Sequence, residues 1–206
     1  MRKTSYIDLS DTWHHFISTG DEADFSALYF AHFDLLYTIG TRYSSDSHII
    51  EDSIQNVFVY LLNNRSKLKL VTKVRSYLIK SFRHQLFLDL KKQKRLLFPE
   101  ELPENQFEYY PSAEHVLLKQ DEHNHIRKAL QKSLAKLPPK QQEIIYLRFD
   151  CDLSYEEISA ILEISVDSCY KSVYRAIKSV KTEIETILAH GQKMILLFIA
   201  SLAKKF

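Results

Sequence analysis

Residues 137–180 read LPPKQQEIIYLRFDCDLSYEEISAILEISVDSCYKSVYRAIKSV, and the fold turns on this stretch. Pro138 and Pro139 suit the first turn of a helix, where a missing N–H leaves no bond unmade. Ser154, followed by Glu157, forms a capping box and starts a second helix at Tyr155. Ile158, Ile161 and Leu162 then recur at helical spacing. Ser165 can cap a third helix, whose inward stripe is Cys169, Val173, Ala176 with Ile177, and Val180. Short helices joined by a tight turn, with another in front, are how a chain lays one helix in a DNA groove while its neighbour braces it.

The opposite side of that third helix is basic. Lys171, Arg175 and Lys178 share a face, and Ser168, Ser172 and Tyr174 lie near enough to reach base edges or phosphates. Taken alone, the stripe fits a solvated amphipathic helix better, because such stripes are common.

A larger basic feature shifts the balance. From Arg65 to Arg95 there are eleven Lys or Arg residues and a single acid, Asp89. Tyr77, Phe82, Phe87 and Leu90 are interleaved among them, and the run ends in Lys91-Lys92-Gln93-Lys94-Arg95. Such a helix offers charge for phosphates and rings for unstacked bases. A solvated face is the alternative, but so many like charges repel one another unless a polyanion lies nearby.

Charge is segregated along the chain, although the net value is only +2. Residues 96–119 hold five Glu against one Lys, and Pro99 and Pro103 interrupt them. That stretch has no helical period and reads as a flexible acidic linker. Its acids either solvate a loop or imitate nucleic acid against a basic surface. The 206 residues therefore divide into two small domains, and with only three glycines and little strand-like alternation the expected fold is all-α. In the first half, Phe25, Leu28, Tyr29, His32, Phe33 and Leu36 mark one face of a helix. Cys151 and Cys169 have no metal-binding spacing and fit a reducing cytoplasm, and no signal peptide opens the chain.

Enzymatic and metal sites find little support. His14-His15 and His123-x-His125 occupy helix positions that point apart, and no Gly-rich phosphate loop or nucleophile–base set occurs. No catalytic residue, metal or cofactor is expected. Met194–Ala203 is nearly all apolar but too short to cross a bilayer, so core packing is the first reading and partner docking the second.

The order of parts resembles a bacterial RNA polymerase sigma factor of the extracytoplasmic-function group of the sigma-70 family. DFSALYFAHFDLLYTIGTRY and EDSIQNVFVYLL look like the opening helices of sigma region 2, and VRSYLIKSFRHQLFLDLKKQKR looks like its promoter-melting helix. LPPKQQEIIYLRF and SYEEISAILEISVDSCYKSVYRAIK are similar to region 4, with its helix-turn-helix. The resemblance implies region 2 over 1–95, the linker over 96–119, region 4 over 120–190 and an apolar tail over 191–206. It implies that Asp52, Gln55, Asn56 and Val59 grip core RNA polymerase at the largest-subunit clamp helices, with Val57 and Phe58 beside them in the motif. Lys80, Arg83, His84, Phe87, Lys91, Lys92, Lys94 and Arg95 would contact the single-stranded −10 element. Arg148, Ser165, Asp167, Ser168, Lys171, Ser172, Tyr174, Arg175 and Lys178 would contact the −35 duplex.

The implied partners are core polymerase (clamp helices and the flap of the second-largest subunit), promoter DNA and an anti-sigma factor, in the cytoplasm and without membrane insertion. The departures carry expectations of their own. Asn56 stands where the family usually has Glu, His84 where it has Asn, and Leu62 near a usual Trp. Glu163 sits at the turn that usually carries Gly, so it is expected to adopt a left-handed conformation at a cost of about 1 kcal/mol. The third helix is poor in Arg, the forked partner of guanine. Weak or altered −35 reading, helped by a further DNA-bound recruiting protein docked on the tail, is the resulting expectation. The rival function is a stand-alone helix-turn-helix regulator that does not act through polymerase.

Overall fold

A computed structural model describes residues 9–97, 107 and 121–187, with side chains over 9–93, 107 and 128–186. Every regular element among them is helical, as the scarcity of glycine and of strand-like alternation implied. Most of the acidic linker, the apolar tail, and the side chains of Lys94, Arg95, His123 and His125 lie outside the described residues. The chain forms two units, one built on residues 1–106 with 160–163 and the other on 107–159 with 164–206.

The first unit contains α1 (Ser10–Thr19), α2 (Glu22–Gly40), α3 (Ser47–Asn64), a 3-10 turn (Arg65–Lys67) and α4 (Val74–Leu97). Local chemistry sets the boundaries. Gly20 ends α1 at φ 79°, and its N–H donates to the Phe16 carbonyl at 2.8 Å. Asp21 then caps α2, accepting from Ala23 N at 2.9 Å and Asp24 N at 3.0 Å. Asp46 does the same for α3, accepting from His48 N at 3.0 Å. Each such cap satisfies donors that the helix itself leaves unpaired, and is worth about 1 kcal/mol.

The core between these helices holds Trp13, Phe16, Leu28, Leu36, Ile54, Phe58, Leu61, Leu78 and Phe82, all fully buried. Truncating a ring such as Phe82 would cost roughly 3–5 kcal/mol. On α2, Leu28, His32, Leu36 and Ile39 are the buried positions, while Phe25, Tyr29 and Phe33 are half-buried at its edge. Gly40 permits close approach of the helices: a Cβ there would meet Ile50 Cγ2 at 2.5 Å and Phe82 Cζ at 3.0 Å.

The second unit contains α5 (Asp121–Ala135), α6 (Pro139–Ile145), a π-helical stretch (Tyr146–Asp150), most of α7 (Tyr155–Leu162) and α8 (Val166–Ile187). Pro139 occupies the first turn of α6, as expected of the missing N–H. Gln142 Nε2 donates to the Leu137 carbonyl at 2.8 Å and to that of Ala135 at 3.3 Å, closing the end of α5. The Lys136 ammonium pairs with Glu183 and ties this corner to α8. From the acidic stretch ahead of α5, Phe107 is only 2% exposed. Its ring lies 5.7 Å from that of Tyr146.

No helix among the described residues is long and apolar enough to cross a membrane.

Candidate nucleic-acid and polymerase interfaces

α7 and α8 form the helix-turn-helix in residue-level detail. Ser154 N–H donates to Glu157 Oε2 at 2.9 Å, and Glu157 N–H donates to Ser154 Oγ at 3.2 Å, completing the capping box. Ser165 Oγ accepts from Ser168 N–H at 3.1 Å and opens α8. Glu163 turns the chain at φ 55°, the left-handed conformation that glycine adopts at less cost. Cys169, Val173 and Ala176 are fully buried, and Val180 nearly so.

That inward stripe leaves Lys171, Tyr174, Arg175 and Lys178 exposed on the other side, with Ser165, Asp167 and Ser168 exposed at the N-terminal end and Ser172 half-buried. Asp167 pairs with Lys171 one turn on, at 2.6 Å. Burial pushes the Cys169 thiol up to about 11, so it stays protonated at neutral pH and acts as a small apolar core group.

Arg148 is placed differently from the others. Its Nη1 donates to the Leu153 carbonyl at 2.9 Å, and its guanidinium lies 4.9 Å from the centre of the Tyr155 ring. It thereby clasps the turn in which Asp152 adopts φ 52°. Tyr155 stacks in turn on Tyr170, centroids 3.8 Å apart and planes at 27°. Burial raises the Tyr155 hydroxyl's pKa, and the hydrogen bond with Arg148 partly offsets the shift. Tyr170, 44% exposed, is a surface ring that the one-dimensional pattern did not mark, although it stands one helical turn before Tyr174.

In the first unit, α3 buries Ile54, Val57, Phe58 and Leu61 and turns Asp52, Gln55, Asn56 and Val59 outward together. Val59 is 53% exposed, and Tyr60 and Leu62 extend the apolar part of this surface. The spacing of one and two helical turns puts these four residues on one face.

α4 carries the basic stretch. Lys80, His84 and Lys92 are exposed, while Arg83, Phe87 and Lys91 are half-buried. The Arg83 guanidinium covers the Phe87 ring at 4.6 Å, and Tyr43 packs edge-on against the same ring at 5.3 Å. Phe82 is fully buried and Tyr77 packs on Trp13 at 6.0 Å, so these two rings serve the core rather than the surface. Asp89, the one acid of the run, is engaged internally. It accepts from the fully buried Ser53 Oγ at 2.7 Å and from Gln85 Nε2 at 3.0 Å. Among its described side chains α4 therefore presents no exposed acid of its own on this face, and its field is positive.

His15 pairs with Asp24 between α1 and α2, and no cluster of three metal-ligating side chains occurs among the described residues.

Residues 127–180 match the family model described as Sigma-70, region 4. Among solved structures, the chain is similar to the sigma factor RpoE from Bartonella quintana, seen in complex with the anti-sigma factor NepR. That match covers 82% of this chain and 99% of the other at 18% identity, with a TM-score of 0.55. It is also similar to CnrH, seen in complex with the cytosolic domain of CnrY, over 87% of this chain and 99% of the other. There the identity is 15% and the TM-score 0.56. At these identities the likeness to the solved structures is one of fold.

Proposed function

We infer that this chain is a bacterial RNA polymerase sigma factor of the sigma-70 family, of the compact extracytoplasmic-function type. The observation that carries the reading is the region 4 match over residues 127–180, on a helix-turn-helix whose exposed face is basic. Such a factor breaks no bond. It lends promoter specificity to polymerase and stabilises the unwound DNA.

The division of labour follows the surfaces. Residues 1–95 act as region 2, 96–119 as the linker, 120–190 as region 4 and 191–206 as an apolar tail suited to docking. Asp52, Gln55, Asn56 and Val59 bind the clamp helices of the polymerase largest subunit, supported by their shared exposure on α3. Lys80, Arg83, His84, Phe87 and the 91–95 basic run hold the melted −10 strand, supported by the excess of positive charge along α4. α8 enters the major groove at the −35 element, and the flap of the second-largest subunit receives region 4. Arg148 supports this indirectly: with its Nη1 on Leu153, it steadies the turn that aims α8. An anti-sigma factor is a further expected partner, because one structural relative, RpoE, was captured with the anti-sigma factor NepR. A DNA-bound recruiting protein is another, given the single Arg of the reader face, Arg175. The factor works in the cytoplasm.

Run-off transcription tests the reading, with purified core polymerase, genomic fragments and the full-length chain. New, defined transcripts are expected. Substituting Gln55, Asn56 and Val59 together by Ala should abolish them and release the chain from polymerase while its helical circular dichroism is unchanged. Duplex binding without any polymerase binding by the unaltered chain would overturn the reading in favour of a stand-alone helix-turn-helix regulator.

A further inference from the structure

Arg148, Tyr155 and Tyr170 form a three-layer stack, guanidinium on ring on ring, across the helix-turn-helix. The lowest ring, Tyr155, is buried, so the stack fixes Tyr170 in place while leaving it 44% exposed. Tyr174 stands one helical turn further along the same row and is 65% exposed. Beside them runs a second row, Lys171 and Arg175, and the four side chains line one shallow hollow along α8.

The two rows suit different parts of a DNA duplex. The cations suit phosphates and acceptor edges. The tyrosine row offers apolar ring surface, and in the major groove the apolar feature is the thymine C5-methyl group. Guanine, by contrast, is read by forked donors, and Arg175 is the only Arg in α8. A ring already held by stacking loses little side-chain freedom on binding, so its contact is not cancelled by ordering.

We propose that Tyr170 and Tyr174 are specificity-determining residues that read thymine methyl groups, so that the upstream element is chosen for T·A pairs beneath this row. The proposal rests on the sigma-factor reading. Lys171 and Arg175 anchor the adjoining backbone, and the Arg148–Tyr155 pair acts as a positioning device for Tyr170.

The test uses the full-length chain as holoenzyme with core polymerase and a duplex library randomised across the upstream element. Thymines of the selected element are then replaced one by one with uracil, which removes only the methyl group. Loss of a contacted methyl should weaken binding roughly fourfold. Y170A/Y174A should bind thymine and uracil duplexes equally, whereas Y170F/Y174F, which keeps both rings, should retain the discrimination. The proposal is overturned if the unaltered holoenzyme is indifferent to uracil at every position, or if Y170A/Y174A still discriminates. Selection of an upstream element with such indifference would remove this proposal alone. A library left unenriched would also overturn this proposal, while loss of polymerase binding and of run-off transcripts is what would remove the sigma-factor reading.

Discussion

The Arg65 guanidinium, carried on the turn after α3, packs directly onto Gly20 at the end of α1, where an added Cβ would sit 2.5 Å from Arg65 Cζ. Arg65 Nη1 also donates to the Phe16 carbonyl at 3.4 Å, so one side chain covers both the left-handed residue and the helix end it terminates. Gly20→Ala should cost about 1–2 kcal/mol from backbone strain alone, and more from displacing the guanidinium. Urea unfolding should show a lower midpoint. In the double variant with Arg65→Ala the two losses should sum to less than their separate values, because the steric part vanishes with the guanidinium.

Glu163 should be a site of cheap stabilisation. At φ 55° a glycine avoids the Cβ–carbonyl clash, although it carries more freedom in the unfolded chain. Glu163→Gly should therefore raise the stability of the full-length chain by up to about 1 kcal/mol. A thermal midpoint unchanged or lowered would show that the turn needs the glutamate for another reason.

His32 gives the first unit a pH dependence. Its Nδ1–H donates to the Leu28 carbonyl at 2.8 Å. Burial, assisted by the nearby Arg75 charge, holds the imidazole below its ordinary value of 6.5, against the opposing pull of that hydrogen bond. Below pH 6.5 the unfolded chain takes up a proton that the folded unit resists. Stability from this group is thus complete above that pH and declines as pH falls toward the lower folded value. Thermal melts at about pH 7.5 and 5.5 should show a drop that His32→Gln reduces.

Asp89 joins α3 to α4 through Ser53 and Gln85. Asp89→Ala leaves the fully buried Ser53 hydroxyl without this acceptor and should cost about 1–3 kcal/mol. Ser53→Ala removes one donor only and should cost less, roughly 0.5–1.5 kcal/mol. Denaturant midpoints for the two variants would establish the order.

Lys171→Ala with Arg175→Ala should lower the salt dependence of duplex binding. Each lost phosphate contact reduces the slope of log affinity against log salt by about 0.9, so the double variant should lose nearly two. Polymerase binding should be untouched. A slope that stays the same would mean that these cations point to solvent in the complex.

The features legible from the sequence are those settled by near neighbours in the chain. The Ser154–Glu157 box, the Ser165 cap and Pro139 in a first turn each follow from chemistry within three or four residues, whereas the left-handed Glu163 was expected from the family resemblance. The α3 set came from the family resemblance, and in the structure Asp52, Gln55, Asn56 and Val59 are exposed while Ile54 and Leu61 are buried. What stayed hidden depends on distant partners. Asp89 looked like a lone acid in a basic field until Ser53, thirty-six residues away, was seen to bind it. The resemblance gave Arg148 a DNA contact, and no local pattern announced its bond to the Leu153 carbonyl across the π-helical stretch. Tyr170 gained its meaning only from Tyr155, across the turn. The left-handed Asp152 gave no signal beyond its residue type.

Phe107 bears on how far apart two promoter elements can lie. With its ring seated on Tyr146, the leash between the units runs from Leu97 to Phe107, not to the start of α5 at Asp121. Ten peptide links reach at most about 36 Å. Whatever orientation the units take on DNA, that leash makes the chain a ruler with a short upper mark, and promoters with overlong spacers fall outside it.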